Sequence, residues 1–324
     1  MALLEVKNLR VEYAAERPAV AVDDVSLTVG EGEFVGVVGE SGCGKSTLLF
    51  ALARLLSPPA RITHGSVEFR GQNLVTMTEK QLNVLRWRDF SVVMQSAMNA
   101  LNPVTPIGAQ FRDALVAHGT TGKREIAERS AEVLGLVGID PVHLRSYPHQ
   151  LSGGMRQRAM IAMALLFTPE LVIMDEPTSA LDVVAQRALM LQIKQLQEQL
   201  GFAVVFVTHD MSLVSHFSDR LVVMYAGQVV EAGPTRDVFD RPSHPYSRGL
   251  LDAFPSIRGP RVELLGIPGR PPELRNLPTG CRFHPRCPVA LPRCTTTMPV
   301  LYDVGDVRAR CLRLGEEPIE ENAS

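Results

Sequence analysis

Apolar and polar residues alternate along Leu4-Glu5-Val6 and Val25-Ser26-Leu27, the two-residue period of half-exposed strands. Phe34 to Val38 is a nearly continuous apolar run ending in glycine, which predicts a buried parallel strand feeding a loop. Ser46 to Leu56 follows with a helical pattern stopped by Pro58-Pro59. From roughly residue 96 to 160 the pattern changes. Asn102-Pro103 and Thr105-Pro106 mark loops, and Lys123 to Val137 and Gly153 to Phe167 read as helices. A helical insertion between two strands of a core is therefore expected. Leu171 to Met174 and Ala203 to Val207 resume the short apolar runs, and between them Leu189, Ile193, Leu196 and Leu200 share one helical face. Strand, helix, strand predicts a βαβ unit with a right-handed crossover. Leu221 to Tyr225 and Gln228 to Glu231 flank Ala226-Gly227 as a hairpin. Beyond about residue 234 the chain is Pro-rich and reads as irregular, and no internal repeat is present.

The first chemistry sits at the end of the Phe34 strand. Gly39-Glu40-Ser41-Gly42-Cys43-Gly44-Lys45-Ser46 matches G-x-x-x-x-G-K-S/T in full, after a predicted strand and at the start of a predicted helix. Glycines let backbone N–H groups converge on phosphate oxygens, and the helix N-terminus adds unpaired donors and positive dipole potential. Lys45 would supply charge to the β- and γ-phosphates, and the Ser46 hydroxyl would ligate Mg²⁺. Leu171 to Met174 then delivers Asp175 and Glu176 to the C-terminal edge of a strand, where α/β sheets bind ligands. Asp175 would hold Mg²⁺ through water, and Glu176 would polarise the attacking water as general base.

With these come Leu151-Ser152-Gly153-Gly154-Met155-Arg156-Gln157-Arg158, which resembles the LSGGQ-type signature of ABC transporter ATPases. Gln95 matches that family's Q-loop, Ser179-Ala180-Leu181-Asp182 its D-loop, and His209 its switch histidine. Tyr13 stands where the family places an aromatic that stacks on adenine. The resemblance runs from residue 3 to about 235; Met155 in place of the commoner Gln is a frequent variation. It implies an α/β fold: a P-loop NTPase core of ABC type with an antiparallel β-subdomain and a helical signature subdomain at about 96–160. It implies catalysis by Glu176, His209 and Lys45. Nucleotide contacts would come from Tyr13, Gly39, Ser41, Gly42, Cys43, Gly44, Lys45, Ser46, Thr47 and Gln95 on one chain. Ser152, Gly153 and Gly154 would serve the ATP of the opposite chain, and Asp182 would be a further nucleotide contact. Mg²⁺ would be held by Ser46, Gln95 and Asp175. Gln95 and the helices after it would couple nucleotide state to a membrane subunit.

The tail narrows the branch. Arg241 to Leu251, with its His244-Pro245-Tyr246 core, resembles the HPYT element of oligopeptide and dipeptide importer ATPases. The run from Gly280 to Pro288, with Cys294 and Cys311 beyond it, is similar to the same branch's C-terminal extension. Residues 1–235 would thus form the ATPase domain and 236–324 an irregular Cys-rich extension. The branch also serves nickel and some oligosaccharide importers. Cys281, Cys287, Cys294 and Cys311 are spaced C-x5-C-x6-C-x16-C, wider than the knuckle that opens most structural zinc sites. Four thiolates in an irregular loop suit a 4Fe–4S cluster, with Zn²⁺ as the alternative and unliganded thiols or disulfides as the third reading.

Composition removes competing classes. The 324 residues are 45% hydrophobic and 21% charged with a formal net charge of −2, so no overall basic character points to nucleic acid. No apolar run approaches the about 18 residues a membrane span needs, and Met1 to Arg10 lacks a signal peptide's pattern. The expected location is the cytoplasmic face of the inner membrane, held there by partners. The resemblance implies two permease subunits, a second ABC ATPase (more often a different chain than a copy), and an extracellular or periplasmic solute-binding protein. Non-transport ABC ATPases of DNA repair or translation carry long coiled-coil inserts or tandem ATPase domains, and this sequence has neither.

Overall fold

A computed structural model describes residues 2–95, 100–179, 181–253 and 266–315. The first residues of the expected helical insertion (96–99), Ala180 of the D-loop match, and residues 254–265 and 316–324 of the expected extension lie outside the described residues. In chain order the strands are β1 (Ala2–Tyr13), β2 (Ala19–Gly30), β3 (Phe34–Val38), β4 (Ala60–Phe69), β5 (Gln72–Asn73), β6 (Phe90–Val93), β7 (Leu171–Asp175), β8 (Ala203–Val207), β9 (Arg220–Tyr225), β10 (Gln228–Pro234), β11 (Tyr302–Val304) and β12 (Val307–Ala309). The helices are α1 (Lys45–Leu52), α2 (Glu79–Leu85), α3 (Ile107–Ala117), α4 (Lys123–Leu136), α5 (Gly153–Ala164), α6 (Val183–Leu200), α7 (Met211–Phe217), α8 (Thr235–Asp240) and α9 (Pro245–Asp252).

Two sheets form. One is antiparallel, in the order β2-β1-β4-β5; the other is mixed, in the order β11-β12-β10-β9-β3-β8-β7-β6. Strands β6, β7, β8, β3 and β9 run parallel, as strands joined by helical crossovers must. The two-residue period divides their side chains between two cores. Val35, Val37, Ile173, Val205 and Met224 pack toward the antiparallel sheet, with α1 between (Leu48, Leu49, Leu52). Phe34, Val172, Met174, Phe206 and Val223 face the opposite way, with side chains of α5, α6 and α7 in the same core. Each large side chain fully buried here contributes roughly 1.5–3 kcal/mol. This explains why the parallel strands read as continuous apolar runs.

Helix α6 shows how local chemistry sets element ends. The Asp182 carboxylate accepts the Ala185 N–H at 2.9 Å, and Gly201 closes the helix at φ 77°. Leu189, Ile193 and Leu196 are buried along one face, as their spacing predicted. Helix α1 is shorter than its sequence pattern, ending at Leu52 rather than Leu56.

The region after residue 234 departs from the expectation of irregular chain. It carries α8 and α9, and β11 and β12 extend the mixed sheet. The reason is an open edge. Strand β10 would otherwise end the sheet with unpaired N–H and C=O groups. Strand β12 pairs on it, Ala309 opposite Glu231 and Arg308 opposite Ala232. A fully buried carboxylate anchors the same region: Glu231 accepts the N–H groups of Ser243 (2.7 Å) and His244 (3.0 Å). Burial holds the Glu231 carboxyl above its ordinary pKa and pushes His244 down to about 3. The neutral His244 ring is therefore free to cap α9, accepting the Tyr246 N–H at 3.0 Å on Nδ1.

A Cβ at Gly233 would lie 2.8 Å from Val307 Cγ2 and 3.0 Å from Val307 Cα. Gly233→Val should lift β11–β12 from the sheet edge and make the chain beyond residue 295 sensitive to limited proteolysis. Parent-like cleavage of the folded variant would show that this pairing does not hold the tail.

Candidate active site

Three adjacent strands end in one row. Val37 of β3 lies opposite Val207 of β8, and Val207 lies opposite Asp175 of β7. The residues following each strand therefore leave the same edge of the sheet: the Gly39 loop, Glu176, and Thr208-His209. The C-terminal edge of a parallel sheet is where α/β proteins assemble ligand sites.

The loop itself requires glycine at two points. Gly39 (φ 153°) and Gly44 (φ 104°) would each drive a Cβ into a backbone carbonyl, that of Met224 and that of Ala21. Lys45 is only 7% exposed. Its Nζ donates to the Gly39 carbonyl (2.7 Å) and the Glu40 carbonyl (2.9 Å), which holds its charge against the loop. Ser46 Oγ donates to Asp175 Oδ1 at 3.0 Å. Asp175 is 2% exposed, and its carboxyl is held above the ordinary carboxylate range. Burial is the main cause, the Ser46 bond opposes it, and the neighbouring Glu176 adds to it. A hydroxyl and a desolvated carboxylate side by side form an oxygen donor set that fits a hard divalent cation.

Glu176 is gripped from both sides. Gln95 Nε2 donates to its Oε2 at 2.7 Å, and His209 Nδ1 lies 3.2 Å from its Oε1. Its backbone adopts φ 43°, a left-handed conformation that costs a non-glycine residue about 1–3 kcal/mol. The Glu176 N–H, bonded to the Val207 carbonyl at 3.0 Å, holds the turn in place. The Tyr13 hydroxyl and Thr47 Oγ1 are 3.1 Å apart.

These groups line one cleft of about 560 Å³: Tyr13, Ser41, Gly42, Gly44, Lys45, Ser46, Thr47, Gln95, Glu176 and His209, with Ala21 and Leu274. Cys43 is a buried member of the loop, and Gly39, Cys43 and Asp175 lie behind the cleft wall rather than in its lining. Ser152, Gly153, Gly154 and Asp182 are absent from the lining. Ser152 is exposed and caps α5 by accepting the Met155 N–H at 3.2 Å, and Asp182 caps α6. Sequence reasoning missed Leu274, whose carbonyl accepts the Val20 N–H at 3.2 Å, because nothing local marks a residue of a Pro-rich tail as a cleft wall. It also missed Gln157, which is buried and donates to the Pro177 carbonyl at 2.6 Å. That bond ties the signature helix to the residue after Glu176.

The four tail cysteines are all free; Cys294 and Cys311 are buried, Cys281 and Cys287 half-buried. Burial pushes Cys281 up to about 11 and also raises Cys287 and Cys311, with neighbouring thiols acting in the same direction. The nearby backbone N–H groups of Phe283, Val289 and Arg313 act in the opposite direction on Cys281, Cys287 and Cys311. Among the described residues, no three His, Cys, Asp or Glu side chains form a group that could hold a metal ion.

Known proteins match this arrangement. The ABC transporter family model matches residues 22–179, and that of the oligopeptide/dipeptide transporter C-terminal region matches 230–294. The oligopeptide transport ATP-binding protein OppD of Salmonella typhimurium is 43% identical over 98% of this chain and 95% of its own length. The chain belongs to the ABC transporter ATPase family. The dipeptide transport ATP-binding protein DppD of Caldanaerobacter subterraneus is 40% identical, over 92% of each chain. The ATP-binding cassette MJ0796, solved as a dimer in a post-hydrolysis state bound to ADP and Pi, superposes with a TM-score of 0.65 at 30% identity. That match covers 72% of this chain and 99% of MJ0796, so the cassette fold of this ABC ATPase is shared. No helix among the described residues is long and apolar enough to cross a membrane.

Because the folded pKa of Asp175 lies above its unfolded value, ionising it costs stability as pH rises through the carboxylate range. Asp175→Asn should therefore raise the Tm of the nucleotide-free chain at pH 7, and the gain should vanish near pH 3, about where unfolded aspartate is protonated. Thermal melts at both pH values check this; an equal or lower Tm at pH 7 would contradict it.

Proposed function

We propose that this chain is the ATP-hydrolysing subunit of an importer for oligopeptides or dipeptides, bound to the cytoplasmic face of the cell membrane through its partners. The observation that carries it is the convergence of Lys45, the Ser46–Asp175 pair and the Gln95–Glu176–His209 chain in one cleft. Lys45 would exchange its two carbonyl partners for the β- and γ-phosphates. Ser46 and Asp175, with Gln95, would hold Mg²⁺, which neutralises phosphate charge when bound. Glu176 would take the proton of the attacking water, oriented by His209 and Gln95. Tyr13 would stack on the base. The matched C-terminal region and the relatives' names support peptides as cargo; oligosaccharides or nickel are the alternative within the same branch.

The cleft is half of a site. Ser152, Gly153 and Gly154 sit at a helix N-terminus outside the cleft of their own chain, which supports their use on the ATP of a second ATPase subunit. Val183 and Val184, 79% and 81% exposed directly after Asp182, support an interface there. A partner of different sequence is the preferred reading. A second, apolar cavity of about 180 Å³ lies between β6 and α5, lined by Leu55, Trp87, Met94, Met160 and Met163. It supports docking of a permease helix beside Gln95. A solute-binding protein would deliver cargo to the paired permeases. Residues 1–235 would act as the ATPase unit, with the helical part at about 96–160, and 236–324 as the extension.

We also propose that Cys281, Cys287, Cys294 and Cys311 hold a structural 4Fe–4S cluster, with Zn²⁺ as the alternative. Four cysteines within one short stretch of the chain, none of them in a disulfide, support thiolate ligation.

Glu176→Gln should bind ATP but lose about 10²–10⁴-fold in turnover, the span that general-base catalysis supplies. Near-normal hydrolysis would remove Glu176 from the role. Anaerobic purification should yield a brown protein with about four iron and four sulfide per chain. A colourless, iron-free but folded protein would sink the cluster assignment.

A further inference from the structure

The C-terminal extension grips the phosphate loop, and among the described residues its hydrogen bonds to that loop run through Glu40. The Glu40 carboxylate accepts a forked pair from Arg286, Nη1 to Oε2 at 2.6 Å and Nη2 to Oε1 at 2.9 Å. The Glu40 N–H donates to the Tyr246 hydroxyl at 2.9 Å, and the Glu40 carbonyl accepts from Lys45 Nζ at 2.9 Å. The grip is rigid. Arg286 Nε donates to the Pro268 carbonyl at 2.8 Å, and its Nη1 lies 3.3 Å from the Tyr225 hydroxyl. Tyr246 is fully buried, with its ring 4.6 Å from that of Tyr225 and 5.4 Å from that of Phe283.

The charge at this junction is unusual for its task. A carboxylate inside a loop that receives a triphosphate opposes binding, and at 25% side-chain exposure water screens it only in part. Arg286, 5% exposed, is the cation paired with it. We propose that Arg286 is a positioning residue for ATP binding: it neutralises Glu40 and, with Tyr246, holds the loop so that Lys45 and the loop N–H groups face the phosphates. The extension is on this account part of the nucleotide site rather than an appendage to it. The inference rests on the reading of residues 39–46 as the phosphate site.

A purely structural fork and a charge-neutralising one behave differently when Glu40 is also changed. With the purified full-length chain, Arg286→Ala should weaken ATP binding by about tenfold, on the order of 1.4 kcal/mol, and raise KM more than it lowers kcat. Glu40→Gln in the Arg286→Ala background should restore affinity to within about threefold of the parent, because the unpaired carboxylate is then gone. High salt should narrow the gap between Arg286→Ala and the parent. Parent-like affinity in Arg286→Ala, or a double variant as weak as the single one, would overturn the proposal. If Arg286→Ala does not fold, Arg286→Lys keeps the charge without the fork; it should bind ATP within about threefold of the parent, and a tenfold loss in that folded variant would overturn neutralisation. Lys45→Ala separates the two readings. It should abolish ATP binding, and if it binds normally the phosphate-loop reading itself has failed. Loss in Lys45→Ala with normal affinity in Arg286→Ala would sink only this inference.

Discussion

The flush register of three parallel strands is the constraint on which the rest of this molecule depends. β3, β8 and β7 are paired so that Val37, Val207 and Asp175 form one row across the sheet. Lys45, Glu176 and His209 line one cleft, yet Lys45 lies 131 residues before Glu176 and 164 before His209 along the chain. Ladder spacing of about 4.8 Å between neighbouring strands does what chain proximity cannot. A one-residue slip of β7 against β8 would move Glu176 away from His209 and turn Asp175 from Ser46 to the opposite face. The apolar side chains on both faces forbid that slip, because it would exchange the two cores.

The site carries an electrostatic cost. Lys45 is satisfied by carbonyls rather than by a carboxylate, and Asp175 is desolvated with only a hydroxyl beside it. Glu176 stands next to Asp175 in a left-handed conformation, held by Gln95 and His209. Strain of this kind persists only where the surrounding structure over-determines it. Here the surroundings are the parallel sheet, the helix-start glycines and the buried Gln157 bond behind Pro177.

The extension adds a further frame. Three of its arginines reach back into the ATPase core: Arg282 to Asp23, Arg286 to Glu40 and Arg310 to Asp24. Arg282 and Arg310 are nearly buried in the process and also donate to backbone carbonyls, Arg282 to Ala226 and Arg310 to Val229 and Pro299. Removing one partner from such a pair strands a charge, so these contacts hold register between tail and core. Each of them directly neighbours a cysteine in sequence: Arg282 follows Cys281, Arg286 precedes Cys287 and Arg310 precedes Cys311.

Local chemistry made much of this legible from the sequence. The glycine and lysine spacing after a strand, the apolar run ending in Asp175-Glu176 and the βαβ period each have a short-range physical cause, and each stands where expected. The helices and strands after residue 234 were not legible. β11 and β12 are three residues long and exist because β10 offers an open edge, and α9 starts on a buried neutral histidine whose state depends on burial. The composition of Pro-rich chain conceals both. The sequence by itself determined which residues could bind phosphate, hold a cation or move a proton, since these are properties of side chains and near neighbours. Only the tertiary structure decided that Glu176 answers to Gln95 and His209, that Ser152 to Gly154 face away from their own cleft, and that Arg286 belongs to the phosphate loop. Those relations come from strand register and long-range packing, which no local pattern encodes.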